Sequence, residues 1–217
     1  FCAVPGSSEA FGKFVSAPFP ALLEQDLGLP VVNFATMNAG LDVFLSEGAV
    51  LDACGKALVT VVQLPGAQNM SNRFYAVHPR RNDRFLRASA MMKSIYPEVD
   101  FTEFTFTRHM LSTLRARAPE KFRFVEQELR ASWLARMRQV LQRIAGPVVL
   151  LWLESYHAPH RAPDGLGEDP LFVSENMVAA LAAGGTRVIR LQPSMAARLA
   201  GREGMHYTPF DAAAAAE

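Results

Sequence analysis

The chain has 217 residues, half of them hydrophobic, with 22 basic against 21 acidic side chains and a formal net charge of +1. That length fits one α/β domain, and the near-neutral balance removes any global electrostatic reason to expect nucleic acid or an anionic membrane as partner. Cys2 and Cys54 are too few and too isolated for a disulfide framework or a zinc site, and such free thiols suit a reducing compartment, so the expected location is the cytoplasm.

In chain order, residues 1–4 read as a strand running into Gly6-Ser7-Ser8-Glu9-Ala10-Phe11-Gly12, which puts a serine hydroxyl at a strand-to-helix turn. Residues 19–27 read as a crossover helix closed by Gly28, and 31–34 as a second strand. A helix over 41–54 leads to a third strand over 58–64. Residues 68–117 are longer than an ordinary crossover and read as an insertion or cap. In the next stretch, 119–144, Phe122, Val125, Leu129, Trp133, Met137, Val140 and Leu141 recur at helical spacing and predict one long helix lying on the sheet. A fourth strand over 148–153, a helix over 177–183 and a fifth strand over 188–191 follow, and the alanine-rich 211–217 favours a helix. Strands alternating with helices predict crossover units around a parallel sheet, and continuous apolar strands predict cover on both faces. No run approaches the roughly 18 apolar residues of a membrane helix, and nothing at the start has the order of a signal peptide. Because Phe1 already belongs to a strand-like run, the sequence reads as one domain over 1–217 from a longer chain.

Two distant segments are linked by a chemical requirement. A serine is a poor nucleophile at neutral pH unless a base takes its proton, and the base works best when a carboxylate orients it. Glu203-Gly204-Met205-His206 offers a carboxylate and an imidazole within one turn, with Ser8 as the nucleophile. Other readings of the same residues are a helix N-cap for Ser8, a locally bonded surface histidine for His206 and a solvated carboxylate for Glu203.

The order of these signals resembles the SGNH, or GDSL-like, hydrolase superfamily, with four short blocks at strand ends. Gly6 to Gly12 keeps both glycines and the serine of the first block, with Ser7 and Ala10 in place of its aspartate and threonine. Asn38-Ala39-Gly40 resembles the second block, Gly66-Ala67-Gln68-Asn69 the third, and Glu203 to Pro209 the last, with glutamate for aspartate. The resemblance implies a three-layer α/β/α, flavodoxin-like fold with strand order 2-1-3-4-5 and a site at the carboxyl ends of the strands. It also implies a Ser8, His206 and Glu203 triad. The oxyanion hole would draw on the Ser8 and Gly40 N–H groups and on the amide of Asn69 or Gln68. The implied activity is ester hydrolysis or acyl transfer without a cofactor, with O-acylated carbohydrate as a substrate class.

A second constellation, His78 to Arg87, packs Arg80, Arg81, Arg84 and Arg87 into the insertion, and guanidinium groups suit carboxylate, phosphate or sulfate. It supports a rival expectation, an inactive SGNH-like domain that binds an anionic glycan or a protein, while a solvated loop is the plain reading. His157, in the loop after the fourth strand, is a further expected substrate contact, and no metal is expected from the His157, His160 and Asp164 neighbourhood, which lacks a ligand register. The first turn lacks the glycine series of a phosphate-binding loop, which sets nucleotide binding aside.

Overall fold

The structure, a computed structural model, describes residues 1–154, 165–182 and 186–208. Strand β1 (Cys2–Val4) leads through a short helix α1 (Ser8–Phe11) to α2 (Phe19–Leu27) and β2 (Val31–Asn33). Helices α3 (Leu41–Ser46) and α4 (Gly48–Cys54) then precede β3 (Val59–Gln63). The long segment before the next sheet strand carries a hairpin, β4 (Tyr75–His78) and β5 (Arg81–Ala88), then α5 (Ala90–Ile95) and α6 (Thr107–Arg117). Helix α7 (Pro119–Arg143), β6 (Val148–Leu153), α8 (Glu175–Ala179), β7 (Arg187–Leu191) and α9 (Met195–Ala200) complete the described elements.

The five sheet strands are parallel, in the order β2-β1-β3-β6-β7, which is 2-1-3-4-5 when only they are counted. Helices cover both faces, giving the three-layer α/β/α architecture expected from the alternation of elements. The period-two geometry of a strand explains how short strands serve two faces. Ala3, Val62 and Leu150 point into a large core shared with α3, α4, α6 and α7. Cys2, Val4 and Val61 point the other way, into a small cluster with Ala10, Phe19, Leu23 and Val31.

Local chemistry sets the element ends. Gly28 closes α2 at φ 62°, a left-handed conformation that costs glycine little, and returns its N–H to Glu24 O at 3.0 Å. Pro119 opens α7 where its missing N–H is no loss, and the 25-residue helix runs without an internal glycine or proline. Its Trp133 is fully buried and donates through Nε1–H to Pro65 O at 2.8 Å, while Arg136 donates to Asp42 and to Ser71 O, each at 2.6 Å. Helix α7 thereby ties α3 and the loop after β3 to one support.

Two expectations change. The single helix over 41–54 is broken between α3 and α4, where Glu47 leaves helical geometry (ψ 73°) ahead of Gly48, although the apolar spacing continues across the break. Strand β7, at the end of the sheet beside β6, is exposed along its length rather than covered on both faces; Val188, Ile189 and Leu191 are 42%, 45% and 50% exposed. The expected helix over 211–217 lies outside the described residues.

Candidate active site

A cavity of about 360 Å³ opens at the carboxyl ends of β1, β3 and β6, with Ser8, Asn38, Gln68, Asn69 and Asp83 among its lining residues. Ser8 reaches it because β1 ends at Val4 and the chain turns through Pro5 and Gly6 into α1. Gln63, the buried last residue of β3, holds that turn: its Oε1 accepts from Ser7 N at 2.9 Å and Ala10 N at 3.2 Å, and its Nε2 donates to Glu9 at 2.5 Å. Gly6 permits this approach, since a Cβ there would stand 2.7 Å from both Gln63 Oε1 and Ala10 Cβ. The Ser8 N–H, at the first position of α1, has no acceptor among the described residues.

The Ser8 hydroxyl exchanges two bonds with Asn38. Ser8 Oγ donates to Asn38 Oδ1 at 2.9 Å and accepts from the Asn38 backbone N–H at 2.9 Å. Asn38 holds φ at 54°, left-handed backbone that is uncommon for a residue with a side chain and tolerated best by asparagine and aspartate. Its Nδ2 donates onward to Asp83 Oδ2 at 3.0 Å, so Ser8, Asn38 and Asp83 form one chain of hydrogen bonds.

The Gly40 N–H, expected at the oxyanion hole, is engaged elsewhere. It donates to Asn82 Oδ1 at 2.9 Å in the interior, and Val43 N joins the same oxygen at 3.3 Å. Asn82, fully buried on β5, thus caps α3 from outside it and donates to His78 O at 2.9 Å in return. The backbone N–H directed at Ser8 Oγ is that of Asn38, two residues before Gly40. Gly40 is needed for space: a Cβ there would fall 1.6 Å from the backbone oxygen of Asn69.

Asn69 and Gln68 both line the cavity. Asn69 Oδ1 accepts from Thr107 Oγ1 at 2.9 Å, which leaves its amide N–H groups for other acceptors. Gln68 is 8% exposed, and its backbone oxygen accepts from Tyr75 Oη at 2.6 Å. Burial pushes the Tyr75 hydroxyl far up, so it stays protonated as a donor.

Glu203 and His206 are exposed. The His206 backbone N–H donates to Phe14 O at 2.8 Å, and the Tyr207 ring lies 4.9 Å from that of Phe14, so this segment docks on the loop leaving α1. The His206 imidazole is not among the partners of Ser8, whose hydroxyl is engaged by Asn38. Arg80, Arg81 and Arg87 are exposed on the hairpin, and Arg84 lies over the Phe106 ring at 5.7 Å; none of the four is among the residues lining the cavity. His157 lies outside the described residues, as do His160 and Asp164.

A family model described as a domain of unknown function, DUF6473, matches residues 1–217. The chain belongs to the DUF6473 family. No curated protein matches it. Among solved structures, the crystal structure of the lipase Lip_vut3 from a goat rumen metagenome shares 12% identity at a TM-score of 0.39, covering 87% of this chain and 79% of that one.

In this DUF6473 chain, sequence reasoning missed Gln63, Asn82 and Asp83, and it placed Asn38 in the second block without giving it a partner. Gln63 carried a signal, a polar residue closing an otherwise apolar strand. Asn82 and Asp83 reach the site by a hairpin fold-back of some 40 residues along the chain, which local spacing does not encode (|i−j| is 42 for Gly40 to Asn82 and 45 for Asn38 to Asp83).

Proposed function

We propose that the cavity is a serine acyl-transfer site of SGNH-like type, an esterase or acyltransferase with Ser8 as nucleophile. The observation that carries this reading is the Asn38 N–H 2.9 Å from Ser8 Oγ, beside a Ser8 N–H that has no acceptor among the described residues. Two backbone donors converging beside a half-buried serine hydroxyl fit an oxyanion that forms next to that oxygen. In the reaction, Ser8 Oγ forms a bond to the ester carbonyl carbon as its proton passes to His206. The oxyanion is held by the N–H groups of Ser8 and Asn38 and an amide N–H of Asn69 or Gln68. Collapse of the tetrahedral intermediate breaks the bond to the alcohol, which leaves with the proton from His206. Water, or a second hydroxyl, then takes the acyl group by the same steps in reverse. Glu203 orients the imidazole. Support for His206 is the docking of its backbone on Phe14, in the loop that leaves the Ser8 helix; the step requires its imidazole to replace Asn38 Oδ1 as the acceptor of the Ser8 proton. O-acylated carbohydrate as substrate rests on the SGNH resemblance.

The rival reading, a non-catalytic binding domain, is favoured by the same Ser8 to Asn38 bond, which occupies the hydroxyl, and by the exposed Arg80, Arg81 and Arg87 as an anion-binding edge. Labelling with a fluorophosphonate decides between them. The expected result is modification at Ser8, lost in Ser8→Ala and slowed by roughly 10⁴-fold in His206→Ala. Folded wild-type protein that takes no label at Ser8 would leave the binding domain standing.

A further inference from the structure

Within the cavity, two acceptors stand out from the rest of its lining. Asp83 Oδ1 is buried and has no hydrogen-bond partner, and Gln68 Oε1 is in the same condition on a side chain only 8% exposed. Both residues line the cavity that holds Ser8. A desolvated acceptor without a donor is unfavourable, so each marks a place where a ligand's donor gains most.

The surrounding charges say what kind of donor fits. Of the four carboxylates in the lining, Glu154 is paired with Arg190, Asp169 with Arg108 at 3.0 Å, and Glu9 is held by Gln63 Nε2. Asp83 differs. One oxygen takes the single bond from neutral Asn38, and no cation pairs with it among the described residues, although Arg80, Arg81, Arg84 and Arg87 share its hairpin. Arg108 is the one basic residue in the described lining, and it faces Asp169. An anionic group would therefore meet a carboxylate and an amide oxygen. A neutral hydroxyl would satisfy either oxygen but leave the Asp83 charge uncompensated in a partly enclosed space, where charge pairs are screened less than at the surface. An ammonium has several donors on one centre and the charge opposite to that of Asp83.

We propose that Asp83 and Gln68 form a recognition subsite for a primary ammonium group carried by the molecule that enters the Ser8 cavity. Asp83 is the counter-ion and Gln68 Oε1 the second acceptor. The inference deepens the acyl-transfer reading, in that the ammonium belongs to an ester substrate, and it reverses the expectation of an anionic one. Asn38 joins the two functions, since it touches Ser8 through its backbone N–H and Oδ1 and Asp83 through Nδ2.

The test uses binding, so that it stands apart from turnover. Ser8→Ala protein is titrated at pH 7 and low salt with three methyl esters of one length: methyl 6-aminohexanoate, methyl 6-hydroxyhexanoate and methyl heptanoate. Calorimetry gives the affinities, and amide NMR shifts locate the site. The ammonium ester is expected to bind roughly tenfold tighter than either neutral ester, with the Gln68 side-chain amide among the shifted signals. Adding Asp83→Asn, which keeps size and shape, should erase that preference, and Gln68→Leu should reduce it; circular dichroism checks that each variant is folded. Equal affinity for the three esters, binding of the hydroxy ester as tight as the ammonium ester, a preference that survives Asp83→Asn, or no binding of any ester overturns the subsite. Fluorophosphonate labelling of wild-type Ser8 with no ammonium preference sinks the subsite alone. Ammonium binding in a protein whose Ser8 takes no label sinks the nucleophile alone.

Discussion

On one face of the sheet, Ala3, Val62 and Leu150 enter a core that runs through α3, α4, α6 and α7 and includes the fully buried Trp133, Met137 and Leu129. On the other, Val4, Ala10 and Val31 are the buried members of a small cluster finished by half-buried Cys2, Phe19 and Leu23. The residues proposed for chemistry straddle this difference. Asp83, Asn69 and Gln68 come from segments anchored in the thick side, whereas Ser8 rides on α1 and His206 docks on Phe14, both over the thin side. Regions with few buried contacts open locally at low cost. On the proposed reading, the thick side supplies the wall that recognises and the lightly held side lets a hydroxyl and an imidazole change partners.

That contrast can be broken at its strongest point first. Trp133→Ala removes a fully buried indole and its bond to Pro65 O, and should cost about 3–5 kcal/mol in urea unfolding. A loss below ~1 kcal/mol would mean that the thick face does not carry the fold. Gln63→Leu keeps the volume but strips the acceptor from Ser7 N and Ala10 N, with an expected cost of about 2 kcal/mol and slower labelling of Ser8. Unchanged labelling would show that the α1 turn holds without Gln63. Tyr207→Ala removes the ring contact with Phe14 and should cost about 1 kcal/mol or less, yet slow Ser8 labelling if His206 is the base. A variant that labels at the wild-type rate separates the C-terminal segment from the chemistry.

The smallest effect concerns the two thiols. Burial on the thick side pushes the Cys54 thiol up to about 11, with a backbone hydrogen bond opposing, while Cys2 is half-buried on the thin side. Alkylation of folded protein at pH 8, read by mass spectrometry, should modify Cys2 before Cys54 because the thiolate is the reactive form. The reverse order would mean that the core around α4 opens more readily than the edge of β1.

Legibility in the sequence followed the range of the interaction. Helix α7 and strand β6 were readable because long periodic and compact apolar runs are local patterns, and the parallel sheet followed from the alternation of strands with helices, while its strand order came from the SGNH resemblance. Ser8 was readable for the same reason, as a serine between two glycines behind a strand. The break at Glu47 was hidden because the apolar spacing continues across it. The hairpin was hidden too: its register has shifts at Ala76, Val77 and His78, so alternation is weak, and its role lies in distant partners such as Gly40 and Asn38. The left-handed Asn38 is set by those partners and by Ser8, and no neighbour in the chain announces it.

Gly40 leaves an unusual signature for anyone who maps this domain by saturation mutagenesis. Its place against the Asn69 carbonyl excludes every side chain, so all nineteen replacements should fall together in abundance and, with it, in measured activity. On the acyl-transfer reading proposed above, Gly40 ranked by activity alone would stand beside Ser8 as though it took part in the reaction. Normalised to folded protein the two should part company: that reading has Ser8 variants accumulate without activity, while Gly40 variants fail to accumulate.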